Sequence, residues 1–579
     1  MATILYHPVT VIQPNSNFQG IQAMIDIQRY LLIAAIAALS FMLLIEWKNF
    51  EGPETVIASS TAANKAASPV TSSGDSDLPI LNQNTESSSL APTTNNSSGV
   101  ITVSTDVLNI KIDLHGGDIV YAGLPAYTAN LESDDPFVIL ESNESRDYIA
   151  QSGLIGQNAT DTSKGRPQFI ANADSYELAD AGESINVDLH YQYSDQINIV
   201  KRFHFKRGEY LIKIEYLIDN QSDSTFQASF FGQLKRGNST DPSVDGEGGM
   251  FAMKPFMGVA YADNEDKYTK LAFAKMKDKP LKTAVNGGWI GIIQHYFLSA
   301  WVPNPESVNE LSTIVTKQGI NIARVTSPAV TVEPRSQGSV AASFYTGPKD
   351  QYRLQEISPG LELTVDYGFL WWIAQPLFWL LTKIHGVLGN WGFAIIGLTM
   401  LVKAAFFQLN AKAFTSMANM RKVQPKLVEL KERYADDRQK QSQAMMELYK
   451  TEKINPLGGC LPMVVQMPVF MALYWVLMES IELRHAPFIL WIDDLSAMDP
   501  YFILPLVMGV SMFIQQRLNP PPPDPMQAKI MQWMPVVFTF FFLFFPAGLV
   551  LYWVVNNTLS IIQQYFITKR IEKSGLATR

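Results

Sequence analysis

Apolar and polar positions change their pattern three times along the chain, and each pattern predicts a different kind of structure. Residues 30–47, YLLIAAIAALSFMLLIEW, form an unbroken apolar run about long enough to cross a ~30 Å hydrocarbon core. No clear small-x-small cleavage site follows it, and it is long for the apolar region of a signal peptide, so an uncleaved anchor is favoured over a cleaved leader. Residues 1–29 precede it as a cytoplasmic segment. Up to residue 23 they show no helical or strand period, which predicts either disorder or a true start at Met24. Residues 48–100 collapse into Ser, Thr, Ala, Asn and Pro and predict a disordered tether, because too few apolar groups offset the entropy of ordering.

From 101 to 350 the period becomes two. INVDLHYQY alternates, QINIVKRFHF and EYLIKIEYLI flank Lys206-Arg207-Gly208 like a hairpin, and GGWIGIIQHYFLSAWV and QGSVAASFYTG read as further strands. Many strands with few helical patterns predict a large antiparallel all-β sandwich. After Leu361 long apolar stretches return at 367–388, 391–409, 460–478, 501–516 and 530–566. Phe545-Pro546-Ala547-Gly548 is a turn signal that divides the last into 530–545 and 549–566. The predicted fold class is therefore a membrane α-helical bundle of six spans, five of them forming the core, plus an all-β extramembrane domain.

Charge assigns the sides. The loop 411–455 is strongly basic, with Arg421, Lys422, Lys431, Arg433 and Arg438 among its cations, and the positive-inside rule places it in the cytoplasm. This works only if 367–388 does not span. That segment carries Pro376, Lys383, His385 and three tryptophans, and only Gly389 and Asn390 separate it from the next run, so it predicts an interfacial amphipathic helix. Both termini, the loop 517–529 and the tail 567–579 then lie inside, and the β domain and the acidic loop 479–500 lie outside.

The formal net charge of −9 argues against a nucleic-acid binder, and a mean hydropathy of +0.03 fits a mixture of soluble and membrane parts. Cys460 is the only cysteine, which excludes an intrachain disulfide and a cysteine-cluster metal site. No Walker loop, GxSxG, HExxH or spaced metal-ligand set occurs. His190, His204 and His295 lie singly and read as structural. No enzyme chemistry, cofactor or metal is expected.

Within the basic loop, Leu427, Leu430 and Tyr434 share one apolar stripe, and Met445, Leu448 and Tyr449 share another after Asp436-Asp437. They predict two antiparallel helices, with Asp437 as N-cap of the second and Pro425 bending or restarting the first. Such a hairpin is a docking arm for an acidic protein or ribosomal RNA, with Arg421, Lys422, Lys431, Arg433, Asp436, Asp437 and Arg438 as its charged face. A solvated linker is the plainer alternative.

Polar residues inside the spans carry the functional signal. Thr399 and Lys403 are four apart and share a helix face. Gln466 lies in the next span, and Asn556, Asn557, Ser560, Gln563 and Gln564 follow Tyr552-Trp553 in the last. Groups of this kind turn towards one another or towards a water-filled cavity. They predict either plain interhelical hydrogen bonding or a hydrated groove open to the cytoplasm, with Lys403 at its inner end.

The stretch INPLGGCLPMVVQMPVFMALYWVLMESIELRHAPFILWIDDLSAMDPYFILPLVMG, followed by DPMQAKIMQWMPVVFTFFFLFFPAGLVLYWVVNN, resembles the YidC membrane protein insertases of Gram-negative bacteria. The likeness covers the region from about Leu363 to the C-terminus. Upstream only the layout is similar, one anchor and then a large periplasmic β domain of the super-sandwich kind. The resemblance implies an energy-independent insertase and folding chaperone in the bacterial inner membrane. It would act on nascent membrane proteins alone or beside the Sec translocon, with the ribosome, the signal recognition particle pathway and the lipid bilayer as further partners. By the same resemblance the substrate groove falls on Lys403, Thr399, Gln466, Tyr552, Trp553 and Asn556. The family typically has Arg where this chain has Lys403, and Lys keeps the charge without the bidentate fork. The tail IEKSGLATR is short and only mildly basic, which leaves the hairpin as the better ribosome dock. The rival readings are a polytopic transporter, for which no repeat of hydrophobic segments is seen, and a membrane-anchored carbohydrate-binding protein.

Overall fold

Alternation along the strands becomes alternation between faces of two large sheets. The computed structural model describes residues 99–162, 165–243, 255–435, 437–452, 461–519 and 525–576. The expected anchor 30–47, the tether up to residue 98, Asp436 and Cys460 lie outside the described residues.

Among the described residues, one sheet has ten strands and the other nine, and nearly all pairings are antiparallel. Strand Leu211–Asn220 lies between Ile197–Lys206 and Ser336–Pro348. Its Ile212, Ile214, Tyr216 and Ile218 all point into the core. Gly208, at φ +70°, makes the turn before it, where a residue bearing Cβ would be strained. The run GGWIGIIQHYFLSAWV is not one strand. It folds into a hairpin of Trp289–Ile293 and Phe297–Val302, with Ile290 opposite Trp301. The turn is pinned because Asp241 accepts from the backbone N–H of His295 at 2.7 Å and from Gln294 Nε2 at 3.1 Å. Both strands are buried nearly throughout, which is why the run lacks alternation.

The chain then enters a helical region. We label its helices α1 (Trp371–Leu388), α2 (Trp391–Ala405), α3 (Phe407–Arg433), α4 (Arg438–Thr451), α5 (Leu461–Glu479), α6 (Ile503–Leu518), α7 (Pro525–Phe542) and α8 (Ala547–Leu576). Gly389 closes α1 in the left-handed conformation, and Asn390 caps α2 by accepting from Phe393 N–H. The apolar stretch 391–409 is not a straight helix. It breaks at Phe406 (φ −92°, ψ 8°), and α3 leaves at 67° to α2. Pro425 does not restart α3, which is helical on both sides of it. α8 runs beyond the expected end at residue 566 to Leu576.

Among the described residues no single helix is long and apolar enough to cross a membrane; the bent pair α2–α3 passes the same test jointly. Shorter apolar helical segments are Val464–Glu479, Ile503–Leu518 and Ala528–Phe542. α6 and α7 approach closely where Gly509 faces Thr539, a contact that leaves no room for a Cβ.

Two cores result. One joins the sheets; the other is built from α1, α2, α5, α6, α7 and α8, with the segment between α5 and α6. Ile481, just after α5, belongs to the β core and not to the helical one. The segment leaving α5 is thus part of the β domain's packing.

Candidate functional site

The polar residues of the helical core sort by face of α8. Asn556, Ser560 and Gln563 recur at helical spacing and look towards α2, α3 and α5, while Asn557 and Gln564 look towards α6. On the first face Lys403 of α2 donates from Nζ to Ser560 Oγ at 2.8 Å and to Gln466 Oε1 of α5 at 3.4 Å. Gln466 Nε2 donates in turn to Asn556 Oδ1, and Ser560 Oγ donates to the Asn556 carbonyl at 2.7 Å. Three helices therefore meet in one hydrogen-bonded network around one ammonium.

Among the described residues no carboxylate pairs with Lys403. Its partners are a hydroxyl and an amide, which orient the charge without cancelling it. Asn556 and Ser560 are buried, while Lys403 and Gln466 keep partial exposure. On the opposite face Asn557 Nδ2 donates to Ser511 Oγ at 3.1 Å, and Gln564 donates to the Leu518 carbonyl and to Asn519 at the end of α6. That face is ordinary interhelical bonding.

Not every sequence candidate joins the network. Thr399 is 1% exposed and bonds back to the Ile395 carbonyl at 2.6 Å, so its hydroxyl serves its own helix. Tyr552 is buried, with its ring 6.1 Å from that of Phe470 on α5. Trp553 packs on Phe470 and, edge-on, on Phe542 of α7. These two form the aromatic wall where α5, α7 and α8 meet. Ser560, the nearest partner of Lys403, is one of the polar residues noted in the last span but lies outside the groove set that the resemblance implies. Its place four residues beyond Asn556 was the available signal.

The candidates of the basic hairpin form a separate site. Val423 and Leu427 of α3 are buried against Met445, Leu448 and Tyr449 of α4. Asp437 caps α4, accepting from Lys440 and Gln439 N–H, and the backbone and side-chain bonds from Lys440, with the Gln439 bond, hold its carboxyl below the usual carboxylate range. Arg421 donates to the Arg517 carbonyl at the end of α6 at 2.9 Å, so it braces the arm against the bundle. Gln563 Nε2 makes a second brace to the Phe407 carbonyl at the bend. Arg433 pairs with Glu429 one turn earlier, at the surface. Lys422 is exposed and Lys431 partly so; Arg438 opens α4.

A third cluster was missed by the sequence. Arg484, the lone cation of its acidic loop, donates to the carbonyls of Thr128 and Ala129, both at 2.9 Å, and lies over the rings of Phe137 and Phe297. His485 Nδ1 sits 3.0 Å from Thr128 Oγ1, and His295 Nε2 sits 2.9 Å from the Met478 carbonyl. Lys349 and Glu479 form a buried pair at 2.9 Å. The β domain thus grips the end of α5 and the segment after it at several points.

Similarity to known proteins agrees across the chain. The family model of the 60Kd inner membrane protein matches residues 383–574, and that of the YidC periplasmic domain matches residues 100–380. A membrane protein insertase YidC of Stutzerimonas stutzeri (strain A1501) is 50% identical over 556 residues, covering 94% of this chain and 99% of its own. One of Cellvibrio japonicus (strain Ueda107) is 51% identical over 553 residues, covering 95% and 99%. A solved structure of an active YidC insertase with its first transmembrane domain aligns at 18% identity. It covers 81% of this chain and 93% of its own, with a TM-score of 0.37.

Proposed function

This chain belongs to the YidC family of membrane protein insertases, and on that premise we propose that it guides transmembrane segments of nascent proteins into the bilayer along a polar groove centred on Lys403. The observation that carries the reading is the ammonium of Lys403, held by Ser560 and Gln466 and unpaired by any described carboxylate. An unneutralised cation inside a helical bundle attracts the acidic outer segment of a client. Neutral partners let it exchange one hydrogen bond for another as the client passes. The work is binding and guiding, without covalent chemistry.

The proposed placement is in the inner membrane, with six spans, both termini in the cytoplasm and the β domain in the periplasm. The anchor 30–47 supplies the first span, and α2, α5, α6, α7 and α8 supply the others. Short spans support this use. The 16 residues of α6 cover ~24 Å, less than a ~30 Å core, and such mismatch thins the surrounding bilayer. A thinner bilayer and a polar groove both lower the barrier for a hydrophilic segment. α1, with Trp371, Trp372 and Trp379 exposed, lies in the outer interface.

The basic hairpin α3–α4 is the proposed contact for the ribosome and for the signal recognition particle pathway. The Sec translocon is the proposed partner for larger clients, for which the protein also acts as a folding chaperone.

The test uses reconstituted insertion of a client with an acidic outer segment. Lys403→Arg is expected to retain insertion and Lys403→Glu to impair it. Equal activity of the three proteins would remove the charge from the mechanism. Site-specific crosslinks from Thr399, Lys403 and Trp553 to a stalled nascent chain locate the path independently.

A further inference from the structure

A cavity of about 220 Å³ lies where the β domain meets the start of the helical region and the end of α5. Its walls include Phe256, Tyr268 and Lys270 from the β domain, Asp366 from the chain leading into α1, and Trp475 and Glu479 from α5. It is smaller than the ~300 Å³ and upward typical of drug-sized pockets, and it has the liquid volume of about seven waters. A compact polar group of several heavy atoms fits it.

The lining charges balance as two ion pairs. Glu479 engages Lys349 through Oε2 at 2.9 Å, and Oε1 takes no hydrogen bond among the described residues. Lys270 pairs with Asp366 and lies 5.2 Å from the centre of the Phe256 ring. The Trp475 indole N–H is buried without a hydrogen-bond partner. A buried donor without an acceptor costs about 1–3 kcal/mol, a cost that an accepting group in the cavity would remove. Tyr268, Phe256 and Trp475 line it with aromatic rings, and such rings favour an ammonium.

One ligand chemistry satisfies both halves. We propose that this cavity binds the ammonium–phosphate zwitterion of an ethanolamine phospholipid from the outer leaflet. A phosphate oxygen accepts from Trp475 Nε1 and Lys270 Nζ. The ammonium donates to Glu479 Oε1 against the faces of Tyr268 and Phe256. Two cations and two carboxylates leave no net charge, which disfavours an anionic glycerol headgroup that brings no ammonium to the carboxylates. The position agrees, because Glu479 ends α5 at the proposed outer surface, and the exposed Phe369, Trp371 and Trp372 follow Asp366 directly. The site rests on the bilayer placement proposed above. Its readout is lipid retention, so its failure leaves the insertion reading intact.

The experiment is native mass spectrometry of the full chain in detergent, exchanged against equal amounts of phosphatidylethanolamine and phosphatidylglycerol with the same acyl chains. The wild type is expected to retain the ethanolamine lipid about fivefold over the glycerol lipid. Trp475→Phe and Lys270→Gln, each shown to be folded by its unfolding curve, are expected to bring the ratio near one, and Ile170→Val, exposed and outside the cavity lining, to leave it unchanged. Excess glycerophosphoethanolamine is expected to displace the lipid, although at equal concentration the lipid stays. No preference in the wild type overturns the proposal, as does a preference that survives both cavity variants. Failure of the excess soluble headgroup to compete would show that acyl packing holds the lipid. Equal binding of lipid and soluble headgroup would show that the ligand is not the lipid. Either result also overturns it.

Discussion

Lys349 Nζ lies 2.9 Å from Glu479 Oε2, with the two side chains 2% and 7% exposed, and so joins the end of the last β strand to the C-terminal end of α5. The Thr364 carbonyl accepts a second bond from the same ammonium at 3.1 Å. Removing one member of such a pair leaves an uncompensated buried charge, at a cost of about 3–5 kcal/mol. Lys349→Met is therefore expected to destabilise strongly, and Lys349→Met with Glu479→Leu to recover most of the loss. Chemical unfolding in detergent measures both, and a double variant no better than the single would refute the pairing.

Glu482, three residues on, gives the same joint a pH dependence. Burial pushes its carboxyl up to about 7, and the nearby Asp350 carboxylate adds to the rise. The folded state then holds a proton that the unfolded state has released between about pH 4.5 and 7. Its contribution is complete below the unfolded value and is lost as pH rises through 7. The joint is expected to weaken by about 1–3 kcal/mol between pH 5 and 7.5. In Glu482→Gln that part of the slope disappears. An unchanged slope in the variant assigns the effect elsewhere.

The Lys403–Ser560 contact is open to a double-mutant cycle. Lys403→Met and Ser560→Ala, singly and together, are expected to couple by about 0.5–3 kcal/mol in unfolding free energy. Strict additivity would mean that the 2.8 Å bond contributes nothing in the folded protein.

In the basic hairpin, Leu427→Asp places a charge where α3 meets Met445 and Leu448 of α4. The expected outcome is separation of the hairpin, read as faster amide hydrogen exchange across Arg438–Thr451 while the β domain keeps its protection. Unchanged exchange in α4 would show that its helix stands without that contact.

Much of this architecture is determined by the sequence alone, because its signals are local. Alternation such as Ile212-x-Ile214-x-Tyr216-x-Ile218 dictates a half-buried strand whichever strands lie beside it. The Phe545–Gly548 turn separates α7 from α8, and Asp437 and Asn390 cap helices through bonds to residues two or three positions away. Lys403 stood out as a cation in an apolar run for the same reason.

What only the tertiary structure decided is which distant groups meet. Helical spacing put Thr399 and Lys403 on one face, but Thr399 is absorbed by the Ile395 carbonyl while Lys403 reaches residues 63 and 157 positions away. Ile481 reads as part of a short external loop, yet it completes the β core. Arg484 reads as an exception in an acidic segment, yet it locks onto two carbonyls more than 350 residues upstream. Spacing along a helix or strand fixes the direction a side chain faces. The surface it meets depends on how remote elements pack, and packing is settled by the summed burial and hydrogen bonding of the whole chain.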